Sequence, residues 1–332
     1  MLDSTTPRAA SASRSRRYCL ITPCRNEGEF VRSTLESTTQ QTVPPHLWII
    51  VDDGSTDDTP EILAEYAAKF DYIKVVKRED RGQRSVGPGV VEAFYDGLAH
   101  VDLDTVDYVC KYDADLEVPP RYFERLMEIM EADPYQGNIS GKLHLRHPDG
   151  TLELERTGDE NAVGPTKFYR TRCFREIGGF VREVSWDGID GHLCRMTGWL
   201  AESRDEPELR IIHLRQMGSS QHSLWVGRVR WGRGKYFMGS AWYYVLAVST
   251  YRLFERPYFV SGVGIAWGYI KAMAARHPRY ENPEYLKFFR RYELESLLLG
   301  KRRTMKRHQQ RIYRMFDRGV AAARGARLAF AE

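Results

Sequence analysis

The chain has 332 residues, enough for one large domain or two ordinary ones, and its apolar and charged fractions, 42% and 28%, are those of a globular protein. Lys and Arg number 49 against 45 Asp and Glu, a net charge of only +4, so the broad basic character of a nucleic-acid binder is missing. No apolar run reaches the roughly eighteen residues of a membrane span.

Residues 1–16 are rich in Ser, Ala and Arg and read as a disordered basic N-terminus, without the apolar centre of a secretory signal. Tyr18 to Pro23 reads as a short buried strand ended by the proline. Helical spacing follows over Glu29–Thr39, then a dense apolar run, Leu47 to Val51, suited to a strand buried on both faces. Asp52-Asp53-Gly54-Ser55 closes that strand as a turn. Thr59-Pro60-Glu61 opens a helix through Phe70, with Thr59 as its cap. A strand at Tyr72–Val76, a helix at Val90–Ala99 and a strand at Tyr108–Tyr112 complete the alternation. Alternating strands and helices predict an α/β domain with a mainly parallel sheet. From about residue 140 to 215 glycines and short strands suggest an α+β extension. Beyond 222 the chain turns aromatic, basic and helical. Five scattered cysteines without CxxC spacing support neither zinc nor a disulfide framework; reduced thiols of a cytosolic compartment are expected.

Ligands of such sheets bind beyond the carboxyl ends of the strands. Four loops should therefore meet at one rim: Thr22–Glu27, Asp52–Asp57, Arg78–Gly89 and Asp113-Ala114-Asp115. Residues i and i+2 of a strand point the same way, roughly 6–7 Å apart. Asp113 and Asp115 can thus face one site with Ala114 directed away, and paired carboxylates suit Mg²⁺ or Mn²⁺. The alternative is a solvated acidic turn. Asp52 or Asp53 could accept from a base or ribose, or the stretch could be a turn and helix cap. Arg78, Arg81 and Arg84 among glycines fit a diphosphate, or form a solvated loop. No Walker loop or GxGxxG is present.

In order and spacing, TPCRNE (22–27), IIVDDGSTDDT (49–59) and YDADLE (112–117) resemble the family 2 glycosyltransferases and their nucleotide-sugar-binding GT-A fold, over roughly residues 17–215. Phe174-Arg175-Glu176-Ile177-Gly178-Gly179-Phe180 matches the family's GGF turn. The resemblance implies a mainly parallel Rossmann-like sheet in a catalytic domain over 17–221, divided into a nucleotide-sugar half (17–130) and an acceptor half (131–221), with a helical extension over 222–332. It implies that Thr22, Pro23, Arg25 and Glu27 frame the nucleoside and that Asp52 or Asp53 reads the base. Arg81 and Arg84 would lie near the diphosphate. Asp113 and Asp115 would hold Mn²⁺ or Mg²⁺, flanking Ala114, with Asp115 the direct ligand and His213 or His222 completing the set. Inverting transfer needs a general base. Counting back from Gly198-Trp199 sets Asp187 on the family's base and Trp186 where the family has Glu. Asp190, one turn on, is the alternative base. Arg230-Trp231 keeps part of the QxxRW element of processive members, with Gly227 in place of Gln, so single-sugar transfer is expected. Arg230 and Trp231 would close over the diphosphate or stack on a sugar.

The donor implied is a nucleotide sugar, UDP-linked in preference to GDP- or dTDP-linked, and the acceptor a glycan or lipid-linked glycan of the cell surface. The rivals are a sugar nucleotidyltransferase, which would begin with a glycine-rich loop, and a non-catalytic lipid- or nucleic-acid-binding scaffold. Trp242, Tyr243, Tyr244, Tyr251, Trp267 and Tyr269 near Arg252, Arg256 and Lys271 resemble membrane-interface anchors. A cytoplasmic enzyme, peripheral at the inner membrane face, is one expectation; a packed C-terminal core or a homo-oligomer interface is the other.

Overall fold

The computed structural model describes residues 16–80, 82, 87–155, 157–215, 224–256 and 258–329, and side chains of the last helix as far as residue 315. The first half alternates as the apolar runs predict: β1 (Tyr18–Cys24), α1 (Gly28–Thr39), β2 (Leu47–Asp52), α2 (Thr59–Lys69), β3 (Ile73–Lys77), α3 (Pro88–Leu98) and β4 (Tyr108–Tyr112). The second half comprises β5 (Leu116–Glu117), α4 (Tyr122–Ala132), β6 (Gln136–Arg146), β7 (Leu152–Leu154), β8 (Thr166–Arg170), α5 (Thr171–Glu176), α6 (Trp186–Met196), β9 (Leu200–Arg204) and β10 (Arg210–His213). Among the described residues only helices follow: α7 (Leu224–Phe237), α8 (Trp242–Leu253), α9 (Val260–Ala274), α10 (Pro283–Leu299) and α11 (Lys301–Ala329).

The sheet runs β3-β2-β1-β4-β8-β6-β10-β5, with β7 and β9 also paired to the long β6. β1, β2, β3 and β4 are mutually parallel, and β8 enters antiparallel between β4 and β6. Side-chain alternation splits each central strand between two cores. Tyr18, Leu20, Trp48 and Ile50 enter one, and Cys19, Ile21, Ile49 and Val51 enter the other. This double burial is why the strands read as unbroken apolar runs.

Pro23 does not end β1. The carbonyls of Tyr18 and Cys24 accept from His46 and Asp53, on the β2 side, so even-numbered positions face β2 and Pro23 faces β4. Proline has no N–H for that ladder. Pairing with β4 stops at Ile21 opposite Lys111, while pairing with β2 continues to Cys24 opposite Asp52. The two strands part just below Asp113, which opens the rim where the loops gather. Thr59 is likewise not the cap of α2 but its first residue. Its N–H donates to Asp57 Oδ1 at 3.1 Å, and its hydroxyl accepts from the Glu27 N–H at 2.9 Å. All five cysteines are buried, outside any disulfide.

Candidate active site

The loops after β1 and β2 are sewn together. Asn26, at φ 51°, accepts from the Thr56 N–H at 2.8 Å and donates its own N–H to Ser55 at 3.0 Å. Asp57 accepts from the Gly28 N–H at 3.0 Å. Arg25 donates to the Asp53 carbonyl and to Asp80 Oδ1, the latter at 2.6 Å. Much of the DDGSTDDT motif therefore builds the rim. Asp52 accepts from the Ser55 N–H, three residues on, at 2.9 Å and so closes the turn. Asp53 Oδ1 is held by Arg78 at 2.7 Å, and Arg78 also meets Asp96 at 2.6 Å. Thr22 lies beneath the rim, only 1% exposed, its hydroxyl taken by the Trp48 indole N–H at 2.9 Å; it supports the rim without facing it. Pro23 is half-buried at the rim. Arg81, Arg84 and His222 lie outside the described residues.

The acidic pair occupies a bend between β4 and β5, with the Ala114 side chain turned into the core as the i, i+2 spacing requires. Each carboxylate has a cation. Lys111, from within β4, donates to Asp113 Oδ1 and to the Gly164 carbonyl, the latter at 3.0 Å. Arg215, just past β10, spans Glu27 Oε1 at 2.9 Å and Asp115 Oδ2 at 2.8 Å. Burial raises the Asp113 carboxyl above the ordinary range; Lys111 opposes this and Asp115 adds to it.

His213, at the end of β10, stands over the same carboxylate, its Nε2 3.8 Å from Asp115 Oδ2. Its Nδ1 meets Glu155 Oε2 at 2.8 Å. A carboxylate on one imidazole nitrogen leaves the other a lone pair, here aimed at Asp115, as in metal sites where an outer carboxylate orients the ligating His. Burial pulls the His213 value down, but the Glu155 bond and the Asp115 charge outweigh it and leave it raised. Among the described residues no three His, Cys, Asp or Glu groups form a metal cage. The donor set nevertheless fits Mg²⁺ or Mn²⁺, which use one or two protein carboxylates or imidazoles and complete their shells with phosphate oxygens and water.

On the acceptor side the two candidate bases separate. Asp187 is exposed in the first turn of α6. Gly164 passes directly before it: a Cβ on that glycine would stand 3.1 Å from Asp187 Oδ2. The Gly164 carbonyl holds Lys111, so one residue joins the Asp187 site to the Asp113 site. Asp190 is 1% exposed and turned inward, accepting from Lys167 Nζ at 2.6 Å and from the Tyr169 hydroxyl. It has no access to an acceptor hydroxyl. Burial raises its carboxyl, with Lys167 and Tyr169 pulling it back. Trp186 stands where the resemblance implies a Glu. Its ring packs on Phe180 of the GGF turn and lies under both Lys111 and Lys167, at 5.4 and 5.6 Å. An aromatic face here does part of what a carboxylate would do for two cations.

Arg230, on α7, is close enough for the Asp187 charge to act on it. Trp231 does not accompany it. Its ring faces the helical cluster of Tyr236, Val245, Ile265 and Tyr269, with Arg252 4.6 Å from its centroid, because one helical step rotates it away from Arg230. The sequence reading missed Lys111, Lys167, Glu155, Gly164 and Arg215. The lysines carried a signal, since a Lys inside an apolar strand must be paired. Glu155 carried none, lying 58 residues from its partner His213.

Residues 19–182 match the glycosyl transferase family 2 model. Poly-beta-1,6-N-acetyl-D-glucosamine synthase of Staphylococcus epidermidis is 31% identical over 233 residues, covering 64% of this chain and 52% of that protein. The synthase of Staphylococcus aureus strain COL is 28% identical over 130 residues, 39% of this chain and 29% of that protein. The chain thus spans about half or less of the length of these relatives. Among solved structures, S. aureus TarS 1–349 with UDP-GlcNAc superposes at TM-score 0.51 and 15% identity, covering 91% of this chain and 92% of that one. GalNAc-T7 with UDP, GalNAc and Mn²⁺ gives 0.56 and 14%, covering 85% and 56%. At such identities these two speak for the fold.

Proposed function

We propose that this chain, whose residues 19–182 match glycosyl transferase family 2, is a glycosyltransferase of the GT-A fold that moves a single sugar, with inversion, from a nucleotide-diphosphate sugar to a glycan or lipid-linked acceptor in cell-surface polysaccharide or glycolipid synthesis. The observation that carries this reading is the junction at Gly164. It ties the exposed Asp187 to the Lys111–Asp113 pair, so a base and a donor-phosphate site share one rim.

Asp187 would take the proton of the acceptor hydroxyl as that oxygen attacks the anomeric carbon. Arg230 lies close enough to feel the Asp187 charge. Lys111 and Arg215 place positive charge where the departing diphosphate develops its negative charge. Asp115 and His213, the latter oriented by Glu155, with Asp113 adjacent, would hold Mn²⁺ or Mg²⁺, which when bound neutralises the leaving nucleoside diphosphate. The Arg25–Asp53–Arg78 lattice fixes the wall against which the nucleoside lies. UDP is the favoured carrier, as the family resemblance implies.

Calorimetric titration with UDP, GDP and dTDP, with and without Mn²⁺, tests the reading. One nucleotide should bind in a metal-dependent way and lose that binding in Asp115→Asn. Absence of binding by every nucleotide would remove the donor site from this rim.

A further inference from the structure

The outer face of the α8–α9 hairpin is built the wrong way round for water. On α9 the small residues point inward. Gly268 lies so close to α7 that a Cβ there would stand 2.8 Å from the Val229 carbonyl carbon, and Gly232 of α7 is as close to the Tyr269 nitrogen, also 2.8 Å. Ile265 and Tyr269 pack inward with them, but the other large residues point out: Val263, Trp267 and Ile270 are 47%, 52% and 49% exposed, one turn apart along a single stripe. On α8, Trp242 and Leu246 are likewise 68% and 60% exposed. A helix docked in water turns its large apolar side chains to its neighbour. Small residues at the helix contact with bulky ones outside is the arrangement that lipid rewards.

The turn joining the two helices extends this face. Phe254, Tyr258 and Phe259 are 74%, 54% and 64% exposed. Phe259 adopts φ 66° with ψ −39°, a positive-φ conformation outside the left-handed helical region that costs a bulky residue about 1 kcal/mol or more. A strained backbone that presents a phenyl ring to solvent points to a medium that receives the ring.

We propose that the α8–α9 hairpin seats this chain in the headgroup region of an anionic bilayer, aromatic turn foremost. Charge selects lipid over a second copy of the chain. From Trp242 to Arg279 the charged residues are Arg252, Arg256, Lys271, Arg276 and Arg279 against the single acid Glu255, and Glu255 is taken by Arg252 at 2.8 Å. A two-fold interface would bring these cations face to face, whereas anionic headgroups neutralise them. The hairpin lies in the interface and does not cross it: α9 has 15 residues, about 22 Å of helix, and no described helix is long and apolar enough to span. Its partner α7 carries Gly234 against Ser185, the residue before α6, so the seated face connects directly to the helix bearing Asp187. The proposal does not rest on the transfer reaction.

Flotation of the full chain with phosphatidylcholine vesicles, and with vesicles also containing phosphatidylglycerol, tests it. The wild type should float with the anionic vesicles, less so in high salt, with a blue shift of tryptophan emission. Phe254→Ser/Tyr258→Ser/Phe259→Gly should lower the bound fraction about tenfold or more, with nucleotide binding and melting temperature kept, since these rings already stand in solvent. Arg256→Glu/Lys271→Glu should weaken binding to the anionic vesicles alone. No flotation with either vesicle overturns the proposal. So does a wild-type dimer that the aromatic triple variant turns into a monomer.

Discussion

Asp187 and Asp190 stand three residues apart on α6 and belong to different regions of the molecule. Asp187 lies on the rim, exposed, with Gly164 kept small before it. Asp190 lies in the layer beneath, closed off and matched by Lys167 and Tyr169. The same division holds elsewhere. Asp115 and Glu155 are equally buried, but Asp115 stands between Arg215 and His213 at the rim, while Glu155 sits behind His213 and meets that imidazole's far nitrogen. Rim groups are placed to meet something that arrives; buried groups are placed to hold rim groups still. Substitutions in the two regions should therefore fail in different ways.

The largest effect belongs to the rim. Asp187→Asn should lower kcat by roughly two to four orders of magnitude, with nucleotide affinity and melting temperature near wild type. A variant that melts early instead would place Asp187 in the supporting layer. Asp190→Asn should do the opposite. It strands the fully buried Lys167 without its counter-ion, which costs about 3–5 kcal/mol. Adding Lys167→Met should recover much of that loss in a denaturation series. If Asp190→Asn stays stable and inactive, the base has been assigned to the wrong aspartate.

The contrast also explains how much could be read in advance. The parallel strands were legible because burial on both faces leaves unbroken apolar runs, and the loops after them were legible because those runs end in Asp and Gly. Asp113 and Asp115 followed from position alone. Between Asp187 and Asp190, counting back from Gly198-Trp199 favoured Asp187, but the reason was not legible, since helical spacing puts both on one side and only the distant Lys167 draws one inward. Trp231 was misplaced for a similar reason: its adjacency to Arg230 in sequence says nothing of the helical rotation between them. The role of Glu155 depends on a chain crossing that no local pattern announces.

Glu155 gives a smaller and more specific effect. Glu155→Ala should weaken Mn²⁺ binding, measured by calorimetry in the presence of the nucleotide, by about 10- to 100-fold, the usual cost of losing a residue that orients a ligand. Glu155→Gln keeps an acceptor for the imidazole N–H and should restore part of it. Unchanged affinity in Glu155→Ala would mean that His213 is not oriented from behind, and the two-region account would lose its example on this side of the site.

The smallest effect tests the buried layer by pH. His192, on the inner face of α6, is caged by Phe289 and Tyr292 at 4.7 and 4.9 Å, and its Nδ1 has no hydrogen-bond partner. Burial pushes its value well below the ordinary one, and Arg195, Lys235, Lys301 and His308 push the same way. The unfolded chain takes up this proton first, near pH 6.5. Stability is therefore full above that pH and falls as the solution is acidified, by up to about 1.4 kcal/mol per pH unit. His308, also lowered by burial, adds to the slope, whereas raised His213 opposes it, contributing stability below about pH 6.5 that is lost as pH rises through its folded value. His192→Phe isolates the first group. Its melting temperature should decline less between pH 6.5 and pH 5 than that of the wild type. Because α10 supplies the cage, the transition lost first on acidification should be the docking of α10 on α6, seen as exposure of Tyr285 and Phe289 before the sheet opens. An identical decline in both proteins would place the acid sensitivity on the rim, among the carboxylates around His213, and reverse the assignment of the two regions.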